Sequence, residues 1–411
     1  MRLAITLLLC TFVSTVHAEH NRLTTKQISE GWISLFDGET LFGWENVKES
    51  VNWHVEDGEI RATKGKVGLL VTTSEFADYH LHVEFKASEN TNSGLFLRTP
   101  KKPKDPAKDC YEVNIAPRTN PFPTGSIVGR QKFPSEDKGD GIPWTAYPPQ
   151  LQQEEAEVTR LDPWDGQWHT YDLIAHGDTV NVVLDKIATV NYVDPNPRLR
   201  GNIGLQHNRG EIAFRNVRLK PLETKPIFNG KDLTGWNTDK AEASEFKVTP
   251  DGELQVLNGR GQIESDASYG DFLLQLECFV NGDALNSGVF FRCIPRDFMM
   301  GYECQIQNGM QDGDPTKPAD CGTGGIFRRQ NARRIVAKDR EWFAMTLVAD
   351  GPHMAAWVDG QQVSDWTDTR KPNENPRRGL RLEPGTLAIQ GHDPTTDLRF
   401  RKLQISEYPK Q

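Results

Sequence analysis

Two short stretches each place a carboxylate and an amide two residues apart: Glu112 and Asn114 in Tyr111-Glu112-Val113-Asn114-Ile115, and Glu303 and Gln305 in Tyr302-Glu303-Cys304-Gln305-Ile306. The apolar residues take every second position. A strand that turns them to a core therefore carries the glutamate and the amide together on its other face. Just upstream, Phe96 and Arg98 share parity, as do Phe290 and Arg292, so an arginine is expected across from each glutamate on the same sheet face. The ordinary alternative is an exposed cross-strand ion pair, worth little. Gln206-His207 and Gln390-Gly391-His392 add an amide and an imidazole near the end of a later strand. Histidine titrates near neutrality and serves as a general base, and an amide can bond a sugar hydroxyl or a carbonyl; the bland reading is a loop histidine at a turn.

Other chemistry is less supported. His80, His82 and Glu84 have metal-capable types at i, i+2 and i+4, but the matching strand of the second half offers Asp271, Leu273, Gln275 and Glu277. The acidic loop at 311–314 lacks the spacing of an EF-hand. The chain has no CxxC pair, GxSxG, HExxH, P-loop or dinucleotide fingerprint. No cofactor is required by these residues, and a divalent cation is possible as a polarising group.

The elements that must position these residues occur twice. Phe36-Asp37-Gly38 through Gly43-Trp44 returns as Phe228-Asn229-Gly230 through Gly235-Trp236, Asn92-Ser93-Gly94 as Asn286-Ser287-Gly288, Tyr111-Glu112 as Tyr302-Glu303, and Phe214-Arg215 as Phe400-Arg401, at offsets of 192, 194, 191 and 186 residues. Four landmarks in one order at a nearly constant offset mark a tandem duplication of domain-sized units. Within each unit, residues 79–85 and 272–279 alternate as half-buried strands. Residues 168–184 and 342–358 read as hairpins around Gly177-Asp178 and Asp350-Gly351. No sustained helical periodicity competes. The expected fold is all-β, two tandem antiparallel sandwiches of jelly-roll type, covering 19–220 and 227–408 with a proline-bounded linker at 221–226 that keeps them close.

The 411 residues are 36% hydrophobic and 26% charged, a globular composition that excludes a multi-span membrane protein. A net charge of -9 gives no bulk drive toward nucleic acid or anionic membrane. Residues 1–18 combine Arg2, an apolar run too short for a membrane span, and Val16-His17-Ala18 before Glu19. This is the pattern of a signal peptide for export to the periplasm or medium. Cys10 raises lipidation, against which Leu9 stands. Beyond it lie five cysteines, an odd number, with a Cys304–Cys321 disulfide open against buried thiols for Cys278, Cys293, Cys304 and Cys321.

The openings at 35–44 and 227–236, the N-S-G-[LV]-F-[LF]-R and Y-E-x-x-I stretches, the T-G-[SG]-I turns at 124–127 and 323–326, and the closing F-R-[NK]-[VL]-x-[LI] together resemble the 3-keto-disaccharide hydrolase family over nearly all of 32–220 and 226–408. The resemblance implies concanavalin A-like sandwiches, bacterial export and a keto-sugar glycoside as substrate. It implies cleavage by base-assisted elimination followed by hydration. Carried onto this chain, it makes Glu112 or Glu303 and His207 or His392 the acid/base candidates, with Arg98 or Arg292, Gln206 or Gln390, and Asn114 or Gln305 as carbonyl and hydroxyl binders. Copy one departs from the pattern at Asn114 and in a Lys/Pro-rich insertion at 100–108; copy two is favoured if only one acts. The rivals are a non-catalytic glycan-binding or adhesion module on the same sandwich, and a scaffold with filled clefts.

Overall fold

Alternating side chains decide which surfaces meet. In the computed structural model, which describes residues 20–47, 50–117, 119–133 and 165–410, Tyr79, Leu81, Val83 and Phe85 of the strand Tyr79–Ala87 are fully buried and His82, Glu84 and Lys86 are not. They face Leu95 and Leu97 of Asn92–Thr99 and Tyr111, Val113 and Ile115 of Tyr111–Ile115 across one apolar cluster. Each such side chain contributes roughly 1.5–3 kcal/mol by leaving water. The signal-peptide reading at 1–18 lies outside the described residues.

Among the described residues, each half pairs an eight-stranded sheet with a five-stranded one, all neighbours antiparallel within the sheets. In the first half the larger sheet runs Ile187–Val193, Thr179–Leu184, His169–His176, Tyr79–Ala87, Ile212–Pro221, Glu59–Ala62, His54–Glu56, with Ile33–Ser34 also against Ile212–Pro221. The smaller runs Trp44–Asn46, Gly68–Thr72, Asn202–Arg209, Asn92–Thr99, Tyr111–Ile115. The second half repeats this order, its smaller sheet being Trp236–Asn237, Gly261–Tyr269, Gly385–Gly391, Ser287–Cys293, Tyr302–Ile306. Both expected hairpins are present. Helix among the described residues is limited to single turns, including Pro106–Asp109 within the Lys/Pro-rich insertion.

Pro221 pairs with Tyr79 in the first half, and Lys225 with Ile405 in the second, so the connection is as short as its sequence implies. The halves share a core. Leu273, Val348, Ala355 and Trp357, on the outer face of the second large sheet, join the first half's apolar cluster. Trp357 Nε1 donates to Ser34 O at 3.0 Å, and Arg200 and Arg333 reach Asp271 and Asp37 at 2.9 and 2.6 Å.

All five described cysteines are buried free thiols, which decides against the Cys304–Cys321 bridge. Cys304 follows the core parity of its strand, while Cys321 Sγ donates to Gln330 O at 3.4 Å. Burial pushes the Cys321 thiol up to about 12.

Candidate active site

On the second small sheet the core takes Ile263, Ile389, Val289 and Cys304. The intervening residues face the other way and line up across the strands: Glu264, Ala388, Phe290 and Glu303 in one row, Gln262, Gln390, Gly288 and Gln305 in the next. This face is covered. Segments 294–301 and 368–384 fold over it, with Met299 N donating to Gln262 Oε1 at 2.5 Å and Arg296 N to Glu264 Oε1 at 3.0 Å. Arg377, between Phe290 and Phe327 at 5.2 and 5.8 Å, donates to Glu303 Oε2 at 3.3 Å and to Met299 O at 3.2 Å.

Glu303 is only 6% exposed, and burial pushes its carboxyl up to about 7 against the opposing influence of Arg377 and, more weakly, His392. It borders a cavity of about 90 Å³. A carboxyl at that value is poised to take and return a proton near neutral pH. Gln305 and Gln390 each keep a buried amide oxygen with no partner, as does Gln206 in the first half. A buried acceptor without a donor is uncommon in a folded protein, and three stand on the two glutamate faces.

The Asn-Ser-Gly stretch has a geometric reason. Asn286 Oδ1 accepts from Gln305 Nε2 at 2.8 Å, Ser287 Oγ donates to Gln390 O at 2.7 Å, and Gly288 leaves room for the glutamate, since a Cβ there would stand 2.8 Å from Glu303 Oε1. In the first half Ser93 Oγ donates to Gln206 O at 2.6 Å, and a Cβ on Gly94 would meet Glu112 Cγ at 3.3 Å.

Among the described residues, the first half assembles fewer of these parts. Glu112 and Asn114 share the face their parity requires, and Gln206 Nε2 donates to Glu112 Oε1 at 3.0 Å. Burial again raises the carboxyl to about 7, opposed by the Gln206 bond. Asn114 Nδ2 donates to Phe122 O. His207 turns away: it is 2% exposed, with Nε2 3.1 Å from Gly210 O. Gln206 matches Gln390, so His207 stands where the second half has Gly391, and His392 lies one residue beyond, exposed and 2.8 Å from Asp393 Oδ2. The two histidines are therefore not equivalent.

The arginines expected opposite the glutamates are elsewhere. Arg98 and Arg292 have φ of 50° and 48°, and this left-handed kink at a break in strand register rotates each side chain off the glutamate face. Both are 0% exposed. Arg98 donates to Ala77 O, Gly177 O, Arg198 O and Asp78; Arg292 donates to Gly270 O, Gly351 O, Arg381 O and Asp271. They tie loops together. The residue opposite Glu303 is Phe290, and its cation is Arg377. Sequence reasoning missed Arg377, Gln262, Glu264 and the glycine; the one available signal for Arg377 was that the segment before the penultimate strand, 368–384, is longer than its counterpart 194–201.

His80 Nε2 and His82 Nδ1 both lie 2.9 Å from Asp172 Oδ1, and among the described residues no three His, Cys, Asp or Glu side chains converge to hold a metal. A larger cleft of about 770 Å³ follows the seam between the halves, away from both glutamates. Its facing charges already neutralise one another, Arg333 with Asp37 and Arg334 with Glu39.

The 3-keto-alpha-glucoside-1,2-lyase-like domain family matches the chain twice, over residues 31–220 and 223–406. The chain belongs to this family. It is similar to the 3-keto-disaccharide hydrolase of Bacteroides thetaiotaomicron, 34% identical over 248 residues that span 50% of this chain and 83% of that protein. Among solved structures, it is similar to a protein of Parabacteroides distasonis ATCC 8503 described as a proposed glycosyl hydrolase (21% identity, 50% of this chain and all of that one, TM-score 0.37). A carbohydrate binding module of Bacillus subtilis matches at 16% identity over 43% of this chain and 95% of its own, with a TM-score of 0.29.

In this family member the glycine beneath the glutamate is open to test. Gly288→Ala is expected to push the Glu303 carboxylate off its place and lower turnover by at least about tenfold, with little change in melting temperature. Gly94→Ala, where a Cβ would meet Val113 O at 3.0 Å and the Glu112 carboxylate only at 3.4 Å, is expected to lower turnover far less.

Proposed function

We propose that this protein is an exported enzyme that cleaves 3-keto-glycosides, that its working site is in the second half, and that each half, 19–220 and 227–408, is a concanavalin A-like jelly roll. The family membership supports the substrate class, and the pattern at 1–18 supports export. The observation that carries the site is Glu303: a buried carboxyl raised to about 7, held by one arginine, at the wall of a cavity and on one sheet face with Gln305 and Gln390.

A ketone at C3 acidifies the C2 proton. Glu303 as carboxylate takes it, and the electron pair moves toward the C3 oxygen as enolate, where Arg377 offsets the developing charge. Collapse of the enolate breaks the C1–O bond and leaves a C1=C2 enone; the departing oxygen takes up a proton, from protonated Glu303 or from His392. Water adds at C1 and a proton returns to C2. The sum is hydrolysis without change of oxidation state, so neither nicotinamide nor flavin is consumed. The first half, with Glu112 held by Gln206 and His207 turned away, is read as a glycan-binding or supporting copy.

The test is to follow free 3-keto-sugar released from 3-keto-disaccharides of several linkages. Because the base must be ionised, turnover is expected to rise with pH through about 7 and level off above it, rather than near the usual carboxylate range. Absence of turnover with every linkage, alongside measurable glycan binding, would establish the binding-module reading instead.

A further inference from the structure

The two halves use one turn differently. In the first half, Arg130 follows the T-G-S-I turn, pairs with Asp194 at 2.7 Å, and lies over the Tyr111 ring at 4.7 Å. Tyr111 donates to the same Asp194, at 3.0 Å. The second half keeps the tyrosine and the aspartate, Tyr302 donating to Asp368 at 2.7 Å. There, however, a new residue takes the carboxylate: Arg370 holds Asp368 through both Nε and Nη2 at 2.8 and 2.7 Å. The residue matching Arg130 is Arg329. Its hydrogen bonds run to two backbone carbonyls, Arg328 O at 3.1 Å and Arg377 O at 2.8 Å.

Arg329 therefore keeps its charge on the wall of the cavity that reaches Glu303, with Arg328 and Arg377 lining the same space. Arg328 and Phe327 replace Gly129 and Val128 of the first half, so the cation beside Arg329 is also particular to this copy. Asp368 is held by Arg370 and Glu303 by Arg377, while Asp320, an exposed carboxylate, also acts on Glu303 from the surface side. Burial and the neighbouring Arg370 and Arg377 depress the Arg329 guanidinium pKa, against the opposing charge of Asp368, which Arg370 rather than Arg329 holds by hydrogen bonds. The planar fork of arginine matches the two oxygens of a carboxylate, sulfate or phosphate.

We propose that Arg329, with Arg328 at the rim, forms an anion subsite in the second half, and that the glycosides it accepts carry an acidic group on the portion bound beside Glu303. This deepens the proposed function and rests on it for the placing of the sugar, while the binding of the anion itself does not depend on turnover. The protein's net charge is -9, so a preference for anionic sugars cannot come from its overall field.

The test measures binding of glucuronate, glucose 6-sulfate and glucose 6-phosphate against glucose to the full chain by titration calorimetry or ligand-observed NMR, in 50 mM and 500 mM salt. At least one acidic sugar is expected to bind about tenfold or more tighter than glucose in low salt, with the advantage shrinking in high salt; the tightest of the three identifies the acid. Arg329→Gln is expected to bring that preference to within about twofold, and Arg328→Gln, an exposed position, to weaken the acidic sugar alone by about two- to threefold. Equal binding of acidic and neutral sugars, or a preference that survives both substitutions, would overturn the subsite. Turnover of neutral 3-keto-disaccharides reads the parent proposal separately.

Discussion

Glu303→Gln is expected to lower turnover of a 3-keto-glycoside by about 10²- to 10⁴-fold, the range typical of losing a positioned general base, and to abolish the rise of rate through pH 7. The same change is expected to leave the fold intact or more stable at pH 8. A carboxyl whose value in the folded protein lies near 7 rather than 4.5 favours the fold while it is protonated. That contribution is complete below the ordinary carboxylate range and is lost as pH rises through about 7, in total on the order of 3 kcal/mol. Glutamine keeps the shape and is neutral at every pH, so thermal melts of the variant and the parent should converge near pH 4 and separate in the variant's favour toward pH 8, less whatever the Arg377 pair contributed. Glu112→Gln serves as the internal comparison and is expected to change turnover little. Near-normal activity in Glu303→Gln with loss in Glu112→Gln would assign the chemistry to the first half; activity in both would make the shared glutamate structural.

The second large effect is on stability. Arg292→Met removes a fully buried guanidinium that serves Gly270 O, Gly351 O, Arg381 O and the Asp271 carboxylate at 2.7 Å. Breaking one partner of such a pair costs about 3–5 kcal/mol, because the remaining acceptors stay inside without donors. Asp271 keeps its bonds from Arg200 and the Gly351 amide, which limits the loss toward the lower end. Urea unfolding followed by tryptophan fluorescence is the measurement. A variant with unchanged stability but little activity would return Arg292 to the role of substrate binder, which its place in the fold argues against.

Strand alternation is a local property, and local properties were legible. Because side chains switch faces every residue, the placement of Glu112 with Asn114 and of Glu303 with Gln305 followed from five residues each, and the hairpins followed from their turn residues. The duplication was equally plain, since it needs only the chain compared with itself. What failed were extrapolations across a break in that regularity. Two residues after Phe290, a left-handed backbone angle at Arg292 ends the alternation, and nothing in Phe-Phe-Arg announces it. One residue separates His207 from the position of His392, enough to send the first inward and leave the second in solvent.

The amino-acid sequence alone determined that this protein is two copies of one strand-rich unit of the 3-keto-disaccharide kind, and which residues leave the core on the strands that matter, because periodicity and repetition are written in nearest neighbours. Only the tertiary structure decided which cation meets Glu303, that the sheet face is closed rather than open, and that Arg329 is released from the aspartate that holds its counterpart. Those outcomes depend on loops such as 368–384 crossing a sheet formed from strands far away in the chain. The energies that set them, burial of a carboxyl and competition of two arginines for one aspartate, exist only once the strands have packed.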